Sequence, residues 1–222
     1  MNPSHDLRAV VFDLDGLIAN TEDLYEKAGE TVLRRRGKTY DAALREQMMG
    51  RPVADAIQIM IDCHSLPDPL DDLMRECGDV MQALLATSLA AMPGLYELMD
   101  ELQAASKRVA VATSGPRVYA EHVLTQLKVK DHFEFVLSAD DIRRGKPDPE
   151  VYLLSAERLQ LAPRQMMALE DSGNGCRAAV AAGAFTVAGP NRHTHHHDFA
   201  GAQFIADTLA DPRIREALGV SP

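Results

Sequence analysis

The segment Ala9-Val10-Val11-Phe12-Asp13-Leu14-Asp15-Gly16 joins a short apolar run to two carboxylates and a glycine. The apolar run is too short for a helix and does not alternate with polar residues, which is typical of a strand buried on both faces. If the backbone stays extended beyond the run, Asp13 and Asp15 point to the same side. Two like charges so close need a cation or a shared proton between them. The segment also suits a plain turn, since Asp and Gly favour strand ends.

Further short apolar runs of this kind recur along the chain and alternate with helical patterns between residues 94 and 188. The runs are Ala9–Phe12, Val109–Ala112, Phe135–Leu137, Met166–Leu169 and Phe185–Ala188, with Phe204-Ile205 as a sixth candidate. Because short strands joined by amphipathic helices need crossover connections, the pattern favours parallel pairing. The sequence therefore predicts an α/β fold with a doubly wound parallel sheet covered on both faces.

Only helical periodicity separates the first strand run from the second. Apolar helix faces lie within Val53–Met60 and Leu70–Leu84, and Met92-Pro93-Gly94 has the composition of a turn. These features predict a helical domain over residues 17–90. It is inserted into a core domain made of residues 1–16 and 91–222.

Composition limits the classes of partner. The 222 residues carry a net charge of -10, which leaves no long-range field to attract nucleic acid or an anionic membrane. The three cysteines form no C-x-x-C pair, as is common in a reducing compartment. Met1–His5 is polar, and no later run approaches the ~20 apolar residues that cross a bilayer. We expect a cytoplasmic protein, with a monomer as the default state.

Polar residues follow two further strand runs, and a lysine lies in a constrained loop. Thr113-Ser114-Gly115 follows the second run, Glu170-Asp171 follows the fourth, and Lys146 lies between Gly145 and Pro147. Each has an ordinary interpretation: a helix cap, acids at a helix N-terminus, and a surface lysine. Ligands of doubly wound sheets collect where strands end, so these loops and Asp13 are expected to meet at one edge. Together they offer oxygen ligands for a hard cation and donors for phosphate.

With these loops the sequence resembles the haloacid dehalogenase superfamily of phosphotransferases. The matching motifs stand in the family's order and approximate spacing over almost the whole chain: Phe12-Asp13-Leu14-Asp15-Gly16, Thr113-Ser114, Gly145-Lys146-Pro147-Asp148-Pro149 and Glu170-Asp171-Ser172. The helical insertion between the first two motifs resembles the cap of the beta-phosphoglucomutase and phosphoglycolate phosphatase-like branch. The resemblance implies a Rossmann-like core with an inserted helical cap domain.

The resemblance also implies roles for individual residues. Asp13 would attack phosphorus and become an aspartyl phosphate, while Asp15 would serve as general acid and then as general base. Ser114 and Lys146 would hold the phosphoryl oxygens, with Thr113 as a weaker candidate.

A metal site is implied by the same resemblance. Asp13, Asp171 and the main-chain carbonyl of Asp15 would bind Mg²⁺, and Glu170 would be a further ligand or a support for bound water. The implied Mg²⁺ is a cation of the kind that the adjacent carboxylates of Asp13 and Asp15 require.

The family's reactions can be separated on further residues. Dehalogenases in the family lack the second aspartate, so Asp15 favours phosphoryl chemistry. Within that chemistry the sequence favours hydrolysis of a small phosphomonoester, of the sugar phosphate or phosphoglycolate type, because the cap region departs from the phosphomutase pattern at two places. The alternatives are a sugar phosphomutase and a catalytically silent binding protein. Tyr25 stands where beta-phosphoglucomutases have histidine, and the loop around Gly50-Arg51-Pro52 is shorter than theirs. Arg51 is a candidate substrate ligand, although a structural salt bridge explains a lone arginine equally well.

A histidine-rich segment, His193-Thr194-His195-His196-His197, has the composition of a Ni²⁺ or Zn²⁺ site. It lies in a loop flanked by glycine and proline. We interpret it as a solvated loop with incidental metal affinity.

Overall fold

A computed structural model describes residues 6–220 of the protein. Over that range, six parallel strands form one sheet in the order β3-β2-β1-β4-β5-β6. The strands are β1 (Ala9–Phe12), β2 (Arg108–Ala112), β3 (Val136–Leu137), β4 (Met166–Glu170), β5 (Phe185–Ala188) and β6 (Phe204–Ile205). The predicted α/β fold with a doubly wound parallel sheet is confirmed. Met1–His5, whose polar character contributes to the expectation of a cytoplasmic protein, lies outside the described residues.

Helices connect the strands and form the inserted segment. They are α1 (Thr21–Arg34), α2 (Ala42–Met48), α3 (Val53–His64), α4 (Leu70–Ser88), α5 (Leu95–Ala104), α6 (Arg117–Gln126), α7 (Glu150–Leu159), α8 (Gly173–Ala182) and α9 (Pro212–Leu218). None of the helices within residues 6–220 combines the length and apolar character that crossing a membrane requires.

The central strands of the sheet are fully buried. All residues of β1 and β4 are buried, as expected for strands with a parallel neighbour on each side. Helices α7 and α8 pack on the sheet through Tyr152, Leu159 and a row of alanines in α8. Burying one such large side chain contributes about 1.5–3 kcal/mol. This rigid layer fixes the carboxyl ends of β1 and β4.

The chain divides into two compact units, one of which contains the sheet and the other only helices. The helical unit is Thr21–Leu89, and its own core includes Val32, Leu33, Met60 and Leu73. The predicted boundaries lie slightly outside these limits. Residues 17–20 belong to the sheet unit, where Asn20 donates its backbone N–H to the Ala90 carbonyl and accepts the Ala90 N–H on its side chain. That the helical unit acts as a cap remains a prediction.

Candidate active site

The site is centred on the carboxyl ends of β1 and β4, which are neighbours in the sheet. The chain leaves β1 toward β2 on one side, whereas β4 continues toward β5 on the other, so a crevice forms between the loops that follow. Asp13 is buried there, and its backbone N–H donates to the Leu169 carbonyl over 2.9 Å. Carboxylate oxygens of Asp13, Glu170 and Asp171 all lie within 4.8 Å of one another. The fold therefore brings these three predicted site residues together.

Lys146 reaches into the same group of carboxylates. Its Nζ donates to Asp13 Oδ1 over 2.5 Å and to the Ala112 carbonyl over 2.9 Å, and it lies 2.6 Å from Glu170 Oε1. Burial alone would lower the pKa of Lys146, but the adjacent charges of Asp13 and Glu170 raise it above its usual value. The surface-lysine interpretation is wrong, because the side chain is only 5% exposed.

The loop that carries Lys146 is held by its own side chains. The Glu150 carboxylate accepts the backbone N–H groups of Arg143 and Arg144 over 3.0 and 2.9 Å. The Asp148 backbone N–H donates to the Gly145 carbonyl over 3.0 Å, and the Lys146-Pro147 peptide is cis. These contacts fix the point from which the lysine side chain enters the crevice.

Negative charge in the crevice exceeds what one ammonium balances. Burial raises the pKa of Asp13, although Lys146 opposes the rise. Burial likewise raises the pKa of Glu170, to about 7, against the attraction of Lys146. Within residues 6–220, the buried Glu170 Oε2 has no hydrogen-bond partner. An unpartnered carboxylate oxygen beside two further carboxylates is the oxygen-rich environment that a hard divalent cation requires, so the residues present fit Mg²⁺.

Tyr152 and Gly175 hold Glu170 in place, and the sequence did not single out either. The buried Tyr152 hydroxyl donates to Glu170 Oε1, and the Tyr152 ring lies 5.4 Å from Lys146 Nζ. On the opposite side, a Cβ added to Gly175 would lie 1.9 Å from Glu170 Oε2. Glycine is therefore required at position 175 for the carboxylate to occupy this position.

Replacing Gly175 with alanine is expected to lower the free energy of unfolding by about 1–3 kcal/mol, the usual effect of overpacking a dense site. The added methyl group has to displace a carboxylate that Lys146 and Tyr152 hold in place. Chemical denaturation of the purified variant measures the change.

Gly78 provides the matched control, because it also lies in a helix and its added Cβ would contact nothing within 4 Å. Gly78→Ala is expected to stabilise the protein by about 0.5–1 kcal/mol through helix propensity. Equal stability of the two alanine variants would show that Glu170 does not lie against Gly175.

Asp15 points its carboxylate toward the connection between β2 and α6. Tyr119 Oη donates to Asp15 Oδ1 over 2.8 Å, and Thr113 Oγ1 lies 3.5 Å from Asp15 Oδ2. Thr113 is buried, and its hydroxyl accepts the Gly115 backbone N–H over 3.0 Å. Among the groups of carboxylates found in the described part of the chain, the Asp15 side chain does not join Asp13 and Glu170. Of this residue, only the main-chain carbonyl remains a candidate metal ligand.

The interpretation of Thr113-Ser114 as a helix cap is wrong. Helix α6 begins at Arg117, and its N-cap is Pro116, which makes no side-chain capping hydrogen bond. Ser114 is exposed at the end of β2, ahead of the helix. Its hydroxyl is therefore presented at the same sheet edge as Asp13.

Asn191 is a further residue that local sequence patterns did not identify. Its side-chain amide donates to Asp171 Oδ2 over 2.8 Å and to the Gly16 carbonyl over 3.2 Å. Gly16 has φ +76°, and a Cβ added there would lie 2.5 Å from Asn191 Nδ2 and 2.5 Å from Asp171 Oδ2. The turn after Asp15 and the Asp171 carboxylate are thus held together by one amide.

The histidine-rich segment is only partly solvated, which corrects the interpretation made from the sequence. His193 and Thr194 are buried, whereas His195 and His196 are exposed. The backbone N–H of Gly173, at the start of α8, donates to His197 Nδ1 over 3.2 Å. The segment therefore packs against the helix that follows Asp171.

Arg51 belongs to the helical unit and is exposed. Its Nε donates to the Gln47 carbonyl over 2.7 Å, which satisfies a free carbonyl in the last turn of α2. Its predicted contact with substrate remains a prediction.

The chain is similar to known proteins over most of its length. The family model "Haloacid dehalogenase-like hydrolase" matches residues 10–188. A phosphorylated carbohydrates phosphatase of Thermotoga maritima is 32% identical over 177 residues, which cover 80% of this chain and 82% of that protein. The fructose-1-phosphate phosphatase YqaB of Escherichia coli is 31% identical over 176 residues, covering 78% and 92%. The crystal structure of CbbY from Rhodobacter sphaeroides in complex with phosphate has a TM-score of 0.79 and 29% identity, covering 92% of this chain and 96% of that one.

Proposed function

Because the chain belongs to the haloacid dehalogenase-like hydrolases, we propose that it hydrolyses a small phosphorylated metabolite through an aspartyl phosphate, an acyl phosphate formed on Asp13. The chain is a phosphoric monoester hydrolase of this family. One observation carries the proposed mechanism: a buried Asp13 lies in contact with Lys146 and within 4.8 Å of two further carboxylates.

The first step transfers the phosphoryl group to the protein. A carboxylate oxygen of Asp13 forms a bond to phosphorus while the bond from phosphorus to the ester oxygen breaks. Asp15 gives its proton to the departing oxygen, so an alcohol leaves and an aspartyl phosphate remains. Asp15 lies two residues beyond Asp13, and Tyr119 and Thr113 contact its carboxylate.

The second step regenerates the protein. Water attacks the phosphorus of the aspartyl phosphate, Asp15 takes the proton of that water, and the bond between phosphorus and Asp13 breaks. Inorganic phosphate leaves, and both aspartates return to their starting states. The sum of the two steps is the hydrolysis of one phosphomonoester.

Fixed donors stabilise the charge on the transferred group. Lys146 already holds Asp13 Oδ1, so its ammonium lies beside the phosphorus that Asp13 attacks. The exposed Ser114 offers its hydroxyl at the same edge, and Thr113 is a weaker candidate because its hydroxyl faces Asp15 and Gly115.

Asp13, Asp171 and the Asp15 main-chain carbonyl would hold Mg²⁺, with Glu170 as a further ligand or a support for bound water. When bound, the ion offsets the negative charge that otherwise keeps a carboxylate and a phosphate dianion apart. The buried, unpartnered Glu170 Oε2 and the adjacent carboxylates support this assignment within the described residues. Asn191 orients the Asp171 carboxylate through its hydrogen bond to Oδ2, as residues around a metal site commonly do for the ligands.

The names of the relatives favour a sugar phosphate as substrate. We propose that the helical unit Thr21–Leu89 acts as the cap that selects it, and that Arg51 binds a second polar group of the substrate. Guanidinium suits that role because it presents paired donors.

A panel of phosphomonoesters tests the proposed function, with kcat/KM measured from phosphate release in the presence of Mg²⁺. Release of phosphate from a sugar phosphate supports hydrolysis. Conversion of beta-glucose 1-phosphate to glucose 6-phosphate without free phosphate would instead show a phosphomutase. No turnover of any ester would leave a binding protein on the same fold.

Removal of divalent metal is expected to abolish phosphate release, and Mg²⁺ is expected to restore it. Since Asp171 is one of the proposed ligands, Asp171→Asn should raise the Mg²⁺ concentration for half-maximal activity by at least about 10–100-fold. Titration of Mg²⁺ into EDTA-treated, dialysed protein measures both effects. Asp131→Asn, a change at an exposed carboxylate, is the control and should leave the titration unaltered. Full activity in EDTA would contradict the assignment.

A further inference from the structure

We propose that Tyr119 is a positioning residue that holds the carboxylate of Asp15 in the orientation needed for proton transfer to the leaving oxygen. The inference rests on the proposed function, since it assumes that Asp15 acts as the general acid. Tyr119 does not belong to any of the motifs that placed the chain in its family. It lies in the first turn of α6, directly after the loop that carries Thr113 and Ser114.

The geometry favours a strong and directional contact. Tyr119 Oη lies 2.8 Å from Asp15 Oδ1, the usual separation for a hydroxyl that donates to an oxygen acceptor. The contact from Thr113 to the other oxygen is 3.5 Å, which is too long for a strong hydrogen bond. Tyr119 is therefore the closer of these two contacts to the Asp15 side chain.

The phenol ring is itself fixed in place. A Cβ added to Gly115 would lie 3.2 Å from Tyr119 Cδ1 and 3.6 Å from Cε1, so the ring packs over this glycine. Tyrosine has few rotatable bonds, and a ring held in this way delivers its hydroxyl to one point at a small entropic cost. The absence of a side chain at Gly115 thus allows the Tyr119 ring to pack closely against this residue.

The two oxygens of Asp15 acquire different roles from this arrangement. Oδ1 accepts the hydrogen bond from the phenol, and that bond can persist whether or not the other oxygen carries a proton. Oδ2 does not take part in that bond, and we assign it as the oxygen that gives its proton to the leaving group. Without the Tyr119 hydroxyl, the carboxyl group loses a short contact that restrains its rotation.

Tyr119→Phe tests the proposal with two probes of similar shape, para-nitrophenyl phosphate and phenyl phosphate. Phenol is the poorer leaving group and depends more on protonation, whereas nitrophenolate departs with little help. The ratio kcat/KM covers only the steps up to departure of the leaving group, so the later attack of water does not enter. We expect Tyr119→Phe to lower kcat/KM for phenyl phosphate about 10-fold more than for para-nitrophenyl phosphate.

Tyr96→Phe is the matched control. It removes a hydroxyl in helix α5 that donates to the Leu127 carbonyl over 3.2 Å, and neither residue is among the proposed site residues. Tyr96→Phe should leave kcat/KM unchanged for both phenyl phosphate and para-nitrophenyl phosphate. A loss through general destabilisation would affect both esters equally, so the difference between esters separates positioning from a structural role.

Asp15→Asn and the double variant complete the experiment. Asp15→Asn should show the full dependence on the leaving group, and adding Tyr119→Phe should increase that dependence no further, because the two residues act through one proton transfer. Equal losses for the two esters in Tyr119→Phe, with a clear difference in Asp15→Asn, would overturn the inference and leave the proposed function standing. No difference between esters in Asp15→Asn would instead contradict the role of Asp15 in the proposed function.

Discussion

Asp13→Asn is expected to reduce kcat for phosphomonoester hydrolysis by about 10⁴-fold or more, because an amide cannot form the acyl phosphate on which both steps depend. The loss should appear in kcat rather than in KM, since the groups proposed to bind phosphate stay in place. Steady-state phosphate release with the fastest substrate of the panel measures it.

The control for Asp13→Asn must separate chemistry from folding. Asn is close to Asp in size, but it removes a charge that Lys146 contacts over 2.5 Å. Circular dichroism and thermal unfolding of the variant should therefore accompany the kinetics. Asp131→Asn, at an exposed site in the same unit, should keep full activity. A folded Asp13→Asn protein with activity near that of the wild type would exclude Asp13 as the nucleophile.

Lys146→Met is expected to lower kcat by about 10²–10³-fold, the usual loss when a fixed donor to a developing charge is removed. In metal-free protein it is also expected to lower the free energy of unfolding by about 3–5 kcal/mol, because the buried Asp13 and Glu170 lose their cation. Chemical denaturation in EDTA and steady-state kinetics measure the two effects.

The stability loss of Lys146→Met should grow as the pH rises. Burial already raises the pKa of Glu170 to about 7, and removing the ammonium raises it further. Above about pH 7 the folded variant therefore keeps a proton that the folded wild type and the unfolded chain have released, so the stability difference between variant and wild type widens as the pH rises. Lys130→Met, at an exposed lysine that pairs with Glu121, is the control and should show neither effect. A variant as stable as the control would show that Lys146 does not neutralise the site.

Much of the fold could be predicted because parallel strands carry a simple signal. The core strands are short, apolar and bounded by polar loops, and each predicted run lies on an observed strand. The difference between predicted and observed strands that matters most for the site is at β4. The predicted run ended at Leu169, whereas the observed strand extends to Glu170, because Glu170 pairs with Ala188 of β5. Glu170 is therefore a buried strand residue rather than a member of the loop. Its side chain therefore starts from a fixed backbone position, from which Oε1 contacts both Lys146 Nζ and the Tyr152 hydroxyl.

The residues that support the motifs could not be predicted from their local patterns. Tyr119, Tyr152 and Asn191 lie in ordinary helices or loops, and each acquires its role from a partner far along the chain. Tyr119 and Asp15, for example, are 104 positions apart. A polar-tipped aromatic in the first turn of a helix that follows a motif loop is the one signal that could have identified Tyr119.

Trapping the covalent intermediate tests the central claim most directly. Protein mixed with substrate and Mg²⁺ is quenched in acid during turnover and treated with borohydride, which reduces an aspartyl phosphate to homoserine. Peptide mass spectrometry should then find homoserine at position 13 in the wild type and none in Asp13→Asn. Rapid phosphate release with no modified residue at position 13 at any time during turnover would show that hydrolysis proceeds without the intermediate.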